Sequence, residues 1–321
     1  RPGDPQGLYR ESRLSAFDSV TVGVLAELLV NGVLFGSMYG VAAIGLSLIF
    51  GTMGIIFLAQ GAMIVLGGYA AYWAFRLLGV DPYVTLAALV PVSLLVGAGL
   101  YQLLFRRAAA LTDRNTTLLI AVGLSFMLES AMSLAWTPDP RSITTAYTAS
   151  GFEIAGMRMS FTRTAGFAVA VTAAFAVTLF LRRTMIGKAV RAVSEDMVAS
   201  TLVGIAPHRV NMVAFAVGIA LAGIAGCTLA ATYTIDPYFG FLLSLKALIA
   251  LALGGLGNVG GALAGGILLG GIESGSSYFR PGWGDAMGYA AFLLVLLFRD
   301  PVLLARHPRH GWRRPADSGW R

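Results

Sequence analysis

Charged side chains are scarce in this sequence, and their scarcity excludes a water-soluble fold. Only 12% of the 321 residues are charged, about half the share found in a soluble globular domain. So few charges cannot cover a particle of this size with polar surface. Hydrophobic residues make up 57% of the chain and the mean hydropathy is +0.75. These values predict that lipid surrounds most of the chain.

Cysteine and histidine are nearly absent, which limits the chemistry. The single cysteine, Cys227, excludes an intrachain disulfide and lies in an apolar run that is typical of a packed interior. The three histidines, His208, His307 and His310, do not indicate a metal site, because His307 and His310 lie in an Arg-rich tail that is typical of solvated side chains. The sequence also lacks a P-loop, a nucleophile elbow and the HExxH and CxxC motifs. We therefore expect a chain without catalytic activity, metal or cofactor of its own.

Long apolar runs dominate what is present. A spanning helix needs about 20 mostly apolar residues, and seven runs qualify, at 24–49, 58–78, 83–105, 116–136, 164–181, 211–235 and 286–304. Another run, 242–278, is too long for one span and is interrupted by glycines. Broken helices are tolerated at membrane depth only where protein or a water-filled cavity covers them. We interpret this run as a broken or re-entrant pair, about 242–256 and 258–278.

The pattern predicts an all-α fold, a polytopic integral membrane helix bundle of about eight to ten transmembrane segments. The sequence contains 40 glycines, and small residues at small-xxx-small spacing allow helix backbones to approach closely. We divide the chain into a polar N-terminal segment over 1–23, a single transmembrane domain over 24–304 and a basic cytoplasmic tail over 305–321.

Basic residues cluster in three regions outside the apolar runs: 106–114, 182–209 and the tail beyond residue 298. The positive-inside rule places all three regions on the cytoplasmic side of the membrane. Alternation then requires 242–278 to make two passes or to re-enter, and it places the N-terminus outside. Because the charge lies between membrane segments, the net charge of +7 indicates orientation in lipid rather than binding to nucleic acid.

Few ionisable side chains fall inside the apolar runs. They are Glu27, near a segment end, and Glu129, Lys246 and Glu273, and each is a candidate for a transport path because a buried charge is costly. Structural alternatives are open for the last three. Lys246 can extend to the interface, Glu273 lies near the end of its segment, and Glu129 can bond to a neighbouring helix. No chain of Asp, Glu and His suggests a proton relay.

The segment GKAVRAVSEDMVASTLVGI at 187–205 differs from the apolar runs around it. Its Ser-Glu-Asp at 194–196 supplies caps and negative charge for a short helix over about 195–203. Val198, Leu202 and Ile205 give that helix an apolar stripe, which suits docking in the groove of a partner. A helix that lies on lipid headgroups is the alternative.

Four blocks carry a resemblance to a known family. They are NGVLFGSMYGVAAIGLSLIFG at 31–51, the 187–205 segment, AFAVGIALAGIAG at 214–226 and DPYFGFLLSLKALIALALGGLGNVGGALAGGILLGGIES at 236–274. Through these blocks, and over about 28–300, the chain resembles the permease subunits of bacterial branched-chain amino acid ABC importers, and more closely the LivH-like one of the two homologous subunits.

The resemblance implies a set of partners. A second, homologous permease subunit would complete the translocation path, with two ATP-binding subunits below it and a periplasmic substrate-binding protein above it. ATP would be used by the partner and not by this chain. Residues 187–205 would be the loop that couples to the ATPase, with these candidate contacts: Arg191, Glu195, Asp196, Val198, Leu202 and Gly204.

One departure from the family concerns the substrate. Where the family commonly has Asn-Phe-Ala-His-Gly-Glu, this chain reads FLAQGA at 57–62, so Gln60 and Ala62 replace the histidine and the glutamate. A branched-chain amino acid, another amino acid, urea and a short amide therefore all remain open as substrates. An ion- or proton-coupled secondary carrier of a small polar solute is the alternative function, and a passive channel is a third.

The candidate path residues are polar groups and glycines inside the apolar runs: Asn31, Gln60, Glu129, Gly254, Gly255 and Gly257. Broken helices often line substrate sites in transporters, because their free backbone groups can meet polar ligand atoms. We expect a side chain at any of the three glycines to obstruct a close backbone approach at the break.

Overall fold

A computed structural model describes residues 5–108, 114–145, 147–148, 151–154, 157–255, 257–280 and 282–299. Helices make up most of this part of the chain, with one short antiparallel pair of strands, Gly151–Ile154 and Met157–Ser160, and this confirms the all-α membrane bundle. The helices are α1 (Pro5–Met53), α2 (Gln60–Leu78), α3 (Pro82–Leu100), α4 (Arg106–Ala108), α5 (Arg114–Trp136), α6 (Phe161–Arg183), α7 (Met185–Glu195), α8 (Met197–Leu202), α9 (Pro207–Ala230), α10 (Phe239–Gly254), α11 (Val259–Phe279) and α12 (Trp283–Arg299). A π-helical turn, Tyr101–Phe105, joins α3 to α4.

Six of the helices described are long and apolar enough to cross a membrane. They correspond to the first six predicted runs, with ends that differ by a few residues. The spans are Glu27–Met53, Gln60–Leu78, Pro82–Phe105, Thr116–Trp136, Phe161–Arg183 and Pro207–Ala230. The predicted broken pair is α10 and α11, which meet at a bend of 116°. Helix α1 begins at Pro5, inside the predicted polar segment 1–23.

The core of the bundle is formed by α1 and α9. Of their spanning windows, 83% and 78% are buried, against 17% for α3 and 28% for each of α5 and α6. Helix α9 packs against α1, α2 and α3, while α1 packs against α11 along much of its length. The weakly buried helices carry their apolar side chains on the outside, where lipid or another subunit would cover them.

Glycine contacts give the direction of α11. A Cβ atom on Gly32 would lie 2.8 Å from the Cα of Gly271, and one on Gly36 would lie 2.5 Å from the carbonyl oxygen of Gly266. Nearer the other end of the span, Gly40 faces Leu263. Helix α11 therefore runs antiparallel to α1 along its span, so the α10–α11 pair turns at the Met53 end and returns.

Helix α12 then runs the opposite way. Gly284 lies against Glu273, and Gly288, one turn later, lies against Leu269. The end of α12 is thus directed towards the Met53 end of α1. The alternation inferred from charge agrees with this arrangement. The basic tail itself, beyond Arg299, lies outside the described residues.

Helix α2 begins in the middle of the bundle instead of at its surface. After Met53, residues 54–59 leave the helix and turn back inward, with Phe57 and Ala59 fully buried. The first residue of α2, Gln60, reaches the carbonyl oxygen of Ala42, close to the centre of the span Glu27–Met53. Such irregular backbone is tolerated at this depth because protein surrounds it.

Candidate functional site

The predicted coupling loop forms two helices, not one. The expected helix over 195–203 is wrong in its start, because α7 continues to Glu195 and the chain bends at Asp196, which has an extended φ of −151°. Asp196 caps α8 as expected, since its Oδ1 accepts from the N–H groups of Val198 at 2.8 Å and Ala199 at 2.9 Å. Ser194 is no cap for α8, because its hydroxyl donates to the carbonyl oxygen of Arg191 at 2.8 Å.

One face of the loop holds it to the bundle. Val190 and Val193 of α7 are buried. Gly187 packs so closely on α6 that a Cβ atom there would lie 2.2 Å from the carbonyl oxygen of Phe180. Ile205 also packs against the core and so does not belong to the exposed stripe predicted for it. The loop is therefore packed firmly against α6.

The other face is apolar and exposed. We call it the coupling surface, and it consists of Met197, Val198, Leu202 and Val203, with exposed fractions of 49%, 72%, 83% and 77%. Four adjacent apolar side chains at one end of a protein indicate an interaction site. Arg191, Glu195 and Gly204 of the same loop are also exposed. Gly204 ends α8 with a positive φ of 85°, a conformation that favours glycine.

A polar cavity lies at the opposite end of the bundle. We call it the outer cavity; its volume is about 240 Å³, and Asn31, Arg163, Tyr233, Glu273 and Asp285 are among the residues that line it. The Nη1 of Arg163 donates to Oδ1 of Asn31 at 3.0 Å. Asn31 thus lines a polar space, and its role in the path stays a prediction. Carboxylates and a guanidinium group face the same cavity.

Behind this cavity lies a buried ionic cluster that the sequence did not reveal. The Nζ of Lys246 lies 3.0 Å from Oε1 of Glu273 and 2.7 Å from Oδ1 of Asp285, and it donates to the hydroxyl of Tyr39 at 2.9 Å. The side chain of Lys246 is only 8% exposed, so the suggestion that it extends to the interface is wrong. Four side chains from α1, α10, α11 and α12 meet here.

The sequence contains one signal for the pairing of Lys246 with Glu273. Lys246 and Glu273 carry opposite charges on adjacent apolar runs, and such charges usually pair inside a membrane protein. No local pattern identifies Tyr39, Arg163 or Asp285, because only the packing of α1, α6 and α12 brings them to the same place.

Gln60 and Glu129 do not join the outer cavity. Gln60 is fully buried, and its Nε2 lies 3.4 Å from the carbonyl oxygens of Ala42 and Gly218. Its Oε1 has no hydrogen-bond partner among the described residues. Glu129 is also buried and accepts from the hydroxyl of Ser125 on its own helix, at 3.4 Å. Among the described residues, the bond to a neighbouring helix considered above is not seen. The path residues proposed from sequence are therefore dispersed.

The three glycines of the break play two different roles. A Cβ atom on Gly254 would lie 1.9 Å from the carbonyl oxygen of Gly261, whereas nothing lies within 4 Å of one on Gly255 or Gly257. The expected obstruction is therefore right for Gly254 and wrong for the other two. Gly255 and Gly257 have positive φ angles of 96° and 79°, so the backbone conformation requires them.

The break lies beside the coupling loop. A Cβ atom on Gly51, near the end of α1, would lie 3.6 Å from the Cβ of Ser194 and 3.7 Å from the Cα of Gly257. Gln60, by contrast, contacts Ala42, and Ala42 and Gly51 are separated by about 13 Å along α1 at 1.5 Å per residue. The structure thus groups the glycine break with the loop and not with Gln60.

The segment between α5 and α6 forms a loop at the outer end of the bundle, and a hydrogen bond joins it to the start of α3. The hydroxyl of Tyr147 donates to Oδ2 of Asp81 at 2.6 Å. Burial and, after it, the hydrogen bond to Asp81 raise the pKa of Tyr147 to about 12. The phenol therefore stays protonated near neutral pH and keeps the loop joined to the start of α3. Within the described ranges, no three His, Cys, Asp or Glu side chains are grouped closely enough to hold a metal ion.

Comparisons with known proteins extend over most of the chain. A family model described as a branched-chain amino acid transport system permease component matches residues 28–296. The permease protein BraD of the high-affinity branched-chain amino acid transport system of Pseudomonas aeruginosa is 33% identical over 291 residues, which cover 87% of this chain and 95% of BraD.

LivH of the corresponding system of Escherichia coli K12 is also 33% identical, over 86% of this chain and 94% of LivH. The autoinducer 2 import system permease protein LsrC of Klebsiella pneumoniae is 34% identical over a shorter stretch, 40% of this chain and 41% of LsrC. No solved structure matches. The resemblance inferred from the four sequence blocks is confirmed.

Proposed function

Because this chain belongs to the family of branched-chain amino acid transport system permease components, we propose that it is a permease subunit of an ATP-driven importer. Its substrates would be branched-chain amino acids or related small amino acids and amides. With a homologous second permease subunit it would form the translocation path in the bacterial inner membrane. Two ATP-binding subunits and a periplasmic substrate-binding protein would complete the importer.

The coupling surface is the observation that carries this proposal. Met197, Val198, Leu202 and Val203 are exposed together on α8 and the residue that follows it, and an exposed apolar helix face fits the groove of a partner. Helix α7 is packed tightly on α6 through Gly187. A displacement of α8 by the ATPase would therefore pass to a membrane-spanning helix instead of being lost in a flexible loop.

The outer cavity supports the amino acid class of substrate. Arg163 can pair with a carboxylate in a bidentate geometry, and Asp285, whose side chain is 51% exposed, can accept from an ammonium group. Both line the same cavity. A zwitterionic amino acid can pair with both groups beside their present partners, Asn31 and Lys246, whereas a neutral amide can meet them only through weaker hydrogen bonds.

The test of coupling is the substitution Leu202→Asp, with Leu202→Met as its matched control. The first places a carboxylate in the coupling surface, whereas the second keeps an apolar side chain of similar size there. We expect Leu202→Asp to abolish uptake of labelled leucine and co-purification of the ATPase subunit at unchanged membrane abundance. Leu202→Met should keep most of both. Equal uptake by the two variants would refute the docking role.

The energy source of uptake distinguishes an ATP-driven importer from the alternative, a secondary carrier. In reconstituted vesicles that contain all subunits, uptake by an ATP-driven importer continues when the proton and sodium gradients are collapsed, and it stops when ATP is removed. Uptake that persists without ATP and follows a gradient would establish the carrier instead.

A further inference from the structure

A second cavity lies at the other end of the bundle from the outer cavity. We call it the inner cavity, and its volume is about 320 Å³. It lies among the last turns of α1, the end of α6, helix α7 and the turn between α10 and α11. The lining residues that matter for its chemistry are Ser47, Arg182, Arg191, Asn258, Val259 and Gly260.

The N-terminus of α11 forms one wall of the inner cavity. Oδ1 of Asn258 accepts from the N–H of Gly261 at 3.2 Å and so caps the helix. Val259 and Gly260 lie in the first turn of α11, where the N–H groups have no carbonyl acceptor within the helix. Both residues line the cavity. The positive end of the dipole of this 21-residue helix therefore lies at the cavity and favours an anion there.

Two arginines add full positive charges to this wall. Arg182 lies in the last turn of α6 and Arg191 lies in the middle of α7, and both line the cavity. The described residues that line it include no carboxylate. The nearby carboxylate of Asp196 is engaged by the N–H groups of Val198 and Ala199.

Ser47 supplies an independent observation. Its side chain is 1% exposed and lines the cavity, yet its hydroxyl has no hydrogen-bond partner among the described residues. Buried hydroxyl groups almost always have a partner, because one without a partner is destabilising. A ligand with acceptor oxygens would provide that partner.

We propose that the inner cavity binds a phosphate group. Arg182 and Arg191 would neutralise its charge, while the Ser47 hydroxyl and the first N–H groups of α11 would donate to its oxygens. An anionic phospholipid of the inner leaflet is the expected source, because Arg182 ends a membrane-spanning helix and the adjacent Met185 and Ile186 are 81% and 50% exposed. Basic pockets at this level are known to bind lipid headgroups.

Bound phosphate would connect two parts that the function requires to move. It would join α7, which carries the coupling loop, to the turn of the α10–α11 hairpin. Its presence would thereby stabilise one arrangement of the loop relative to the bundle.

Binding is measured by native mass spectrometry of the full chain in detergent, with phosphatidylglycerol or an uncharged diacylglycerol added. We expect one retained phosphatidylglycerol and no retained diacylglycerol. Arg191→Gln should weaken retention roughly tenfold, the usual effect of losing one charge-assisted bond. The control Arg107→Gln removes an exposed arginine that does not line the cavity, and it should bind as the unchanged chain does. Equal loss in both variants would mean unspecific attraction to basic residues and would overturn the proposal.

Inorganic phosphate, added to the lipid-free chain, separates the two sources. A thermal shift with phosphate alone that disappears in Arg191→Gln identifies a soluble phosphate and keeps the site. No response of the unchanged chain to either probe overturns it.

Ser47→Ala distinguishes a loss of ligand binding from a loss of protein stability. Without ligand the variant should unfold no earlier than the unchanged chain, because it removes a hydroxyl that has no partner. The affinity of this variant for phosphatidylglycerol should be several-fold lower than that of the unchanged chain. Unchanged affinity in Ser47→Ala, together with unchanged affinity in Arg191→Gln, would place the phosphate elsewhere.

Discussion

Lys246 lies between two carboxylates and a phenol in the interior of the bundle, and these neighbours determine what its removal costs. With Lys246 present, Glu273 and Asp285 are compensated at 3.0 Å and 2.7 Å. Without it, the carboxylate of Glu273 stays buried and uncompensated. Breaking a buried pair in this way costs roughly 3–5 kcal/mol, whereas replacing both partners by neutral groups of similar size costs much less.

We therefore expect Lys246→Met to reduce membrane abundance and thermal stability strongly. The double variant Lys246→Met with Glu273→Gln should recover a large part of both, because no buried charge is left without a partner. The measurement is abundance in membranes together with the unfolding temperature in detergent. If the double variant is as unstable as the single one, the cluster acts through shape and not through charge.

At the scale of elements, the α10–α11 hairpin depends on glycines for two reasons. Gly254 permits contact with Gly261 across the hairpin, where a Cβ atom would meet a carbonyl oxygen at 1.9 Å. Gly255 permits the turn, because its φ of 96° and ψ of 128° are reached at low cost only without a side chain. The first role concerns packing and the second concerns backbone strain.

Substitution by alanine separates these two roles. Gly255→Ala should destabilise by about 1–3 kcal/mol from strain alone, while Gly254→Ala should force the helices apart and destabilise more. Gly275→Ala on α11 is the control, since nothing lies within 4 Å of a Cβ atom there. Protease resistance of the hairpin and transport per molecule are the measurements. An effect of Gly254→Ala no larger than that of Gly275→Ala would contradict the close packing.

At the scale of the whole molecule, charge and packing together determine the orientation of the chain in the membrane. The positive-inside rule acts on Arg182, Arg183 and the basic tail, and the packing of α11 and α12 brings the end of α12 to the same end as these arginines. The hairpin is required for this agreement, because a single crossing by 242–278 would reverse α12.

Labelling of single cysteines tests this topology. In a Cys227→Ala background, Ser318→Cys in the tail should resist a membrane-impermeant maleimide in intact cells and react after permeabilisation. Thr148→Cys, in the loop at the outer end, should react in both conditions. Reaction of Ser318→Cys in intact cells would show that the tail is outside and that the orientation is wrong.

The sequence by itself determined six of the spans, the glycine break and the family, because apolar runs, helix breakers and ordered blocks are local features. The seventh predicted run, 286–304, overlaps only a shorter apolar helix, Trp283–Leu297. Tertiary structure alone decided which polar groups meet. The Lys246 cluster joins four helices, and α2 starts at the centre of the bundle beside Ala42. Each of these results from packing between segments distant in the chain, where the free energy of pairing a buried charge or closing a helix contact depends on neighbours that no local pattern specifies.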